Sequence, residues 1–383
     1  LAEALGISPL EIRTKNCYRI GSLTATGQEL RSSVGIAATL DAVAPYYLSK
    51  RNDDRESQNG HVRRGRGIAC MMYGIGNTGM QNPSTARVEL HLDGSITLYT
   101  GAADIGQGST TVLAQIAAEH LGLKAEDIHM VVADTLHTTS AGATSASRQT
   151  YISGNAVCDA ITKLKGLLLT EGASILKIDR SALMLEGGCV RSRTDPTREV
   201  SLERIARRAH SIGLPLQWQG YFDPDTTPLD PDTGQGVPYS TYAFAAHVAD
   251  VEVDVLTGEV KVLRVAAAHD VGKAINPQNV QGQIYSGVAM GMGFAVMEEF
   301  APGKTESMKD YHIPTCADMP EIIPIIVEDP EPTGPYGAKG VGEPALIPTA
   351  PAILNALADA LGVRLYSLPA NLERVMKAAS VRK

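Results

Sequence analysis

Two stretches of this 383-residue chain repeat one grammar. Two alternating strands meet at a turn ending in Gly, a loop of Gly and polar residues follows, and a helix closes the unit. In the first stretch Val88–Leu92 and Ile96–Thr100 flank Asp93-Gly94, the loop is Gly101–Gly108, and the helix is expected over Thr110–Leu121. In the second, Val248–Val255 and Val260–Ala268 flank Thr257-Gly258, the loop runs Asp270–Asn279, and the helix extends from Val280 to Met297. Apolar/polar alternation on both sides of an X-Gly turn is the hairpin pattern, because the turn needs a positive φ that Gly adopts freely. Its recurrence predicts duplicated hairpin–loop–helix units. Strands precede helices without the βαβ alternation of a doubly wound sheet, so the expected fold class is α+β.

Around these units, Leu1–Asn16 reads as a helix broken at Pro9, Arg51–Arg66 as a charge-rich connector without periodicity, and Gly67–Tyr73 as a strand. Further helices are expected over Asn155–Leu169, Leu202–Ile212 and Pro351–Leu361, with a Pro/Asp-rich linker at Phe222–Pro238.

Several function classes are disfavoured. Lys plus Arg number 34 against 42 Asp plus Glu, a net −8 with no basic run, which argues against nucleic acid or an anionic membrane as partner. The apolar stretches read as shorter than the roughly 20 residues that cross a bilayer. The chain opens at Leu1 inside a helical pattern without a secretory leader signature, as a fragment or processed subunit would. Cys17, Cys70, Cys158, Cys189 and Cys316 are scattered without metal-ligand or cluster spacing, which fits reduced thiols in a cytoplasmic protein. The nine histidines include no H-x-x-x-H pair, so no protein-ligated metal is expected, and His247 and His269 read as packed imidazoles. Gly74-Ile-Gly-Asn-Thr-Gly79 matches the dinucleotide fingerprint, but Met80-Gln-Asn-Pro83 follows where a helix must open. Gly303-Lys304-Thr305 has Glu298 where a phosphate loop needs Gly, and no G-x-S-x-G elbow occurs.

Four loops remain as carriers of chemistry. Gly106-Gln107-Gly108 precedes a helix, and its glycines would let backbone N–H groups approach a ligand beside an amide. Ser145-Ala146-Ser147-Arg148-Gln149 offers hydroxyls and a guanidinium able to fork two phosphate oxygens. Gly282-Gln283 occupies the matching place in the second unit. In Gly334-Pro-Tyr-Gly-Ala-Lys339-Gly340-Val341-Gly342-Glu343-Pro344, glycines strip side chains from around one carboxylate, as a general base reaching a buried centre requires. Each loop taken alone also reads as an ordinary helix entry or solvated turn.

Taken in order, LGISPLEIRTKN, RRGRGIACMMYGIG, GAADIGQG, GATSASRQTYISGNAV, HDVGKAINPQNVQGQ, DYHIPTCADMPE and GPYGAKGVGEPALIPTAPAILNAL resemble the molybdopterin-binding large subunit of the xanthine dehydrogenase/aldehyde oxidase family, over nearly the whole chain. The earlier half of such subunits, with its cofactor loop and F-R-G-F-type substrate loop, has no counterpart here.

The resemblance implies that residues 1–66 lead out of that first half, 67–220 form a first molybdopterin-binding subdomain, and 239–383 form a second carrying the catalytic loop. It implies that Glu343 is the base beside the molybdenum. Gln107 and Gln283, with Gly106 and Gly108, would hold the pyranopterin. Ser145, Ala146, Ser147, Arg148 and Gln149 would take its phosphate tail, in a sequence similar to users of the cytosine dinucleotide form. Lys339, Gly340 and Val341 would be backbone neighbours of the metal's oxygen ligands. The metal would be ligated by the pterin dithiolene, with no side-chain ligand. The implied reaction hydroxylates an N-heterocycle (purine-like) or aldehyde carbon with water-derived oxygen. Electrons would leave through iron–sulfur clusters and FAD on partner subunits. A non-catalytic cofactor-binding or assembly module, inactive without its partner half, is the alternative.

Overall fold

The structure, a computed structural model, describes residues 1–50 and 60–380. Most of the expected connector, 51–59, lies outside the described residues.

The N-terminal segment forms α1 (Ala2–Leu5), α2 (Pro9–Asn16) and α3 (Ile36–Leu48). Pro9 does not interrupt one helix but starts the second: it sits in the first turn, where its missing N–H is no loss, and the Ser8 hydroxyl caps Glu11 N–H at 3.0 Å. The sequence reading missed α3 because IAATLDAVAPYYL has scarcely a polar face and contains Pro45.

β1 (Val62–Gly74), β2 (Ser84–Leu90), β3 (Ile96–Thr100), α4 (Ser109–Leu121), β4 (Ile128–Val132) and α5 (Gly154–Leu176) follow. Then come a small meander of β5 (Leu183–Glu186), β6 (Cys189–Ser192) and β7 (Glu199–Ser201), with α6 (Leu202–Ser211) and β8 (Gln217–Phe222). The last third holds β9 (Tyr242–Asp254), β10 (Val260–Asp270), α7 (Pro277–Val296), β11 (Glu321–Val327), α8 (Thr349–Leu361) and α9 (Leu372–Ser380). The architecture is α+β, as expected. Gly74–Gly79 leads through a loop into β2 with no helix opening, so the dinucleotide motif has no anion-binding helix terminus.

Two four-stranded sheets organise the chain, in orders β1-β9-β10-β11 and β8-β2-β3-β4. In each, an antiparallel hairpin is extended by a parallel strand, β11 beside β10 and β4 beside β3. Helices cross both sheets at glycines. A Cβ on Gly67 of β1 would lie 2.1 Å from the Ala352 carbonyl oxygen of α8, and one on Gly220 of β8 would lie 2.0 Å from that of Ala156 on α5.

β1 corrects two expectations. It begins at Val62, inside the expected connector, and it pairs along its whole length with β9, from Val62↔Asp254 to Gly74↔Tyr242. Its first residues show no apolar alternation because cross-strand ion pairs replace it: Arg64–Glu252 at 2.8 Å and Arg66–Asp250 at 2.5 Å, each pair directly opposite in register. The division expected at residue 67 therefore falls within a strand of the later sheet. β8 also went unread, since QWQGYF lies at a sheet edge and alternates only weakly. Residues 343–361 are apolar and long enough to cross a membrane, contrary to the sequence reading, but 61% of the span is buried inside the protein.

Candidate active site

The loop bearing Glu343 is tied to the end of β10. Gly272 bridges Ala338, and Lys339 N–H donates to the Val271 carbonyl at 2.9 Å. The Lys339 side chain turns into the core, where Nζ donates to Asp270 Oδ2 at 2.6 Å and to the Ser33 carbonyl at 2.9 Å, the side chains of Lys339 and Asp270 being fully buried. Burial pushes the Asp270 carboxyl up to about 6, against the lowering effect of Lys339. Among the described residues no acceptor takes the backbone N–H of Gly340 or Val341.

Glu343 opens a short 3₁₀ turn, Glu343–Ala345, and is half-buried. Its N–H donates to Ser147 Oγ at 3.0 Å, while the same hydroxyl donates to Glu343 Oε2. The two loops meet backbone to backbone, since a Cβ on Gly340 would lie 1.8 Å from the Ser147 carbonyl oxygen. Tyr73 stands beside both. Its phenol is pushed up to about 12, first by burial and then by the Glu343 charge.

Ser145–Gln149 is a turn in which Ala146 and Ser147 take φ of 53° and 52°. Ser145 is exposed. Arg148 is 2% exposed and spends all five donors inside the protein. Nε donates to Asn82 Oδ1 (2.6 Å), Nη2 to the carbonyls of Asn82 (2.9 Å) and Pro83 (2.7 Å), and Nη1 to those of Ala141 and Ala143. The fork expected to hold phosphate oxygens thus closes on protein carbonyls, and Arg148 shapes the loop instead. Gln149 is similarly engaged, donating to the Ala143 carbonyl and to Thr144 Oγ1 and accepting from Ser153 Oγ at 2.5 Å.

The Gly101–Gly108 loop is organised by Asp104, which accepts from the N–H groups of Gly106 (2.9 Å), Gly108 (3.2 Å) and Thr110 (3.1 Å). Burial raises the Asp104 carboxyl, but these donors outweigh it and hold the group below its ordinary value. Gln107 folds back on its own loop, accepting from Ile105 N–H at 2.6 Å and donating to the Ala103 carbonyl and to Ser109 Oγ. The Ala103 carbonyl also accepts from Thr144 Oγ1 at 2.7 Å, which ties this loop to the 145–149 turn.

Gln283 lies in the second turn of α7, and its side-chain amide makes no hydrogen bond among the described residues. It shares a helical face with Asn279, Gly287 and Gly291 at i±4 spacing. A Cβ on Gly108 would lie 2.9 Å from Asn279 Nδ2, and one on Gly287 would lie 2.4 Å from the Ala345 carbonyl carbon. One face of α7 therefore runs from the Gln107 loop, past Gln283, to the Glu343 turn.

Residues 42–320 match the molybdopterin cofactor-binding domain family. The chain belongs to that family. Over 98% of its length this molybdopterin-binding chain is 32% identical to the xanthine dehydrogenase molybdenum-binding subunit of Escherichia coli O157:H7, covering 50% of that protein. It is 32% identical to the aldehyde oxidoreductase of Megalodesulfovibrio gigas, over 99% of this chain, and covers 39% of that protein. The solved aldehyde oxidoreductase from Desulfovibrio gigas superposes with a TM-score of 0.86 at 31% identity, over 99% of this chain and 39% of that one. The chain spans half or less of the length of these relatives and corresponds to the later half.

The surfaces at hand fit a pterin cofactor better through backbone than through side chains. The unpaired N–H groups of Gly340 and Val341, the free Gln283 amide and the open space at Gly106 and Gly282, where a Cβ would meet nothing within 4 Å, are suited to a heteroatom-rich ring system. The side chains of Gln107, Arg148 and Gln149, named from the sequence, are engaged within the chain, and the backbone N–H of Lys339 is taken by Val271. Tyr73 and Asp104 went unremarked. Asp104 was legible inside GAADIGQG as an acceptor for helix-entry amides, whereas nothing local to Tyr73 signals its place beside Glu343.

Proposed function

We propose that this chain is the later half of the cofactor-binding part of a molybdenum hydroxylase, with Glu343 as its general base acting on an aldehyde or N-heterocycle. The observation that supports this most is the position of Glu343. It is a half-buried carboxylate at the meeting of two loops, next to two unpaired backbone donors and with no cationic partner among the described residues. Molybdenum in its pterin dithiolene, when bound, supplies the oxidation and the oxygen-transfer centre.

The chain's own residues do the rest. Ser147 holds one Glu343 oxygen, which leaves the other to accept the proton of the attacking water-derived oxygen. Gly340 and Val341 N–H groups stabilise developing negative charge at the cofactor's edge. Gln283 and the Gln107 backbone N–H, which Asp104 leaves free while it takes those of Gly106 and Gly108, orient the pterin, and the exposed Ser145 turn receives its phosphate tail, in the cytosine dinucleotide form. Iron–sulfur and FAD partners take the electrons away. The earlier half completes the substrate pocket. A non-catalytic assembly role is the competing reading, and turnover separates the two.

The test is Glu343→Gln in the full-length subunit assembled with its partners. Gln keeps shape and a hydrogen bond but cannot accept the proton, so turnover per bound molybdenum should fall by about 10²–10⁴. Metal and pterin content should stay unchanged. Near wild-type turnover per molybdenum would remove the base assignment.

A further inference from the structure

Two consecutive residues of one strand hold the two ends of the catalytic loop, Asp270 directly and His269 through His247 of β9. Side chains adjacent in a strand point to opposite faces of the sheet. At the end of β10, Asp270 reaches Lys339, four residues before Glu343, at 2.6 Å. His269 faces the other way and meets His247 of β9, Nε2 to Nε2, at 2.7 Å. His247 Nδ1 in turn contacts Thr349 Oγ1 at 3.1 Å, six residues after Glu343, in the first turn of α8. The side chains of Asp270 and Lys339 and both imidazoles are fully buried.

We propose that His269 and Asp270 are positioning residues for Glu343, a two-sided clamp that fixes the otherwise side-chain-poor loop between Lys339 and Thr349. The proposal rests on the reading of Glu343 as the base. Gly340 and Gly342 leave the loop conformationally permissive, and a base displaced by 1 Å loses about 10²-fold in rate. Ser147 holds the middle of the loop, and β10 holds its two ends, through Asp270 on one face and through His269 and His247 on the other.

The histidine arm also has a defined direction. Two ring nitrogens at hydrogen-bond distance require one donor and one acceptor. Among the described residues His269 Nδ1 has no partner. A buried unpaired N–H is rarer than an unpaired lone pair. The favoured arrangement is therefore His269 Nε2–H donating to His247 Nε2, and His247 Nδ1–H donating to Thr349 Oγ1. Burial keeps both rings neutral, which this relay requires.

The test uses the full-length subunit with Asp270→Asn, Thr349→Val and Thr349→Ser. Hydrogen exchange reads the clamp without any cofactor. The hydrogen-bonded amides of Glu343, Ala345 and Leu346 should exchange at least about tenfold faster in Asp270→Asn and Thr349→Val, with β9 and β10 still protected and Thr349→Ser close to wild type. Unchanged exchange at these three amides, or a uniform rise across the sheet, overturns the clamp. Should Asp270→Asn not fold, the Thr349 pair decides from the other face. In the holoenzyme, each clamp variant should lower turnover per molybdenum while adding little to the loss already caused by Glu343→Gln, because both act through one group. Additive losses would overturn positioning. Full activity of Glu343→Gln alone would instead remove the base assignment and leave the exchange result standing.

Discussion

Arg148 directs its five donors to Asn82, Pro83, Ala141 and Ala143, so its guanidinium joins the β2 entry to the 141–149 segment. Removing it would strand several buried carbonyls, each costing about 1–3 kcal/mol when unsatisfied. Arg148→Met should therefore lower unfolding free energy by about 3–5 kcal/mol, as breaking a buried charged network does, measured by urea titration. A loss under about 1 kcal/mol would show that the network contributes little. Because the loop deforms, pterin retention should fall as well. The sequence showed that a guanidinium stood in a hydroxyl-rich turn, but its partner Asn82 lies 66 residues away. Glu343 was legible because four glycines in eleven residues left it as the loop's only acid. Its Ser147 partner lies 196 residues earlier, in a turn whose hydroxyls alone suggest a phosphate.

Elements were most legible where turn chemistry and periodicity agree. β3, α4 and α7 fall within a few residues of their expected bounds, and the Asp93-Gly94 turn joins its strands with Gly94 at φ of 87°. Legibility failed at β1, whose early residues owe their strand to ion pairs across to β9, and at α3, which has no polar face to mark a period. Glycines settle how helices seat on sheets. Gly67→Val and Gly220→Val push side chains into helix backbone, and overpacking of this kind typically costs about 1–3 kcal/mol. Each should lower the unfolding midpoint without altering Glu343 itself. Gly282→Ala is the opposite case: it lies within α7 with open space at its Cβ position. It should stabilise the chain by about 0.5–1 kcal/mol yet reduce pterin retention, if the cofactor lies along that face. Unchanged pterin content would move the cofactor away from Gln283.

At the scale of the whole molecule, pH acts through the buried residues at the end of β10. Burial lowers His269 from 6.5 to about 3 and takes His247 well below its ordinary value, helped by the neighbouring ring. The unfolded chain then binds protons that the folded one refuses. The histidine contribution is thus complete above pH 6.5 and is lost as pH falls below it, at up to about 1.4 kcal/mol per pH unit per ring. Asp270, raised from 3.8 to about 6, has the reverse sign: between those values the folded state keeps the proton, and stability rises as pH falls. With two rings against one carboxyl, the net slope from this cluster is loss on acidification. Urea midpoints between pH 7 and pH 5 should fall for wild type and flatten for His247→Gln/His269→Gln. Equal slopes would disprove the assignment.

A second property of the whole molecule is its uncovered apolar surface. Tyr285, Met290 and Phe294 on α7, with Phe300, Met308 and Ile313 beyond it, are all exposed. Such surface favours self-association, so this chain alone should sediment as oligomers, and supplying the earlier half of a full-length subunit should reduce that. A stable monomer holding stoichiometric molybdenum would contradict it.

The amino-acid sequence by itself determined the hairpins, the helix entries, the loops that approach a ligand and the one carboxylate set among glycines. Turn type, periodicity and glycine content act over a few residues, and no distant contact is needed to read them. Tertiary structure alone decided which polar groups face outward. Gln107, Arg148 and Gln149 look like ligands in a linear reading, yet each hydrogen-bonds within the fold. Tyr73 and the His269–Asp270 pair acquire their places only when strands far apart in the chain pair in register. A buried donor must find an acceptor, and the packing of distant segments determines whether that acceptor is a ligand or the protein's own backbone.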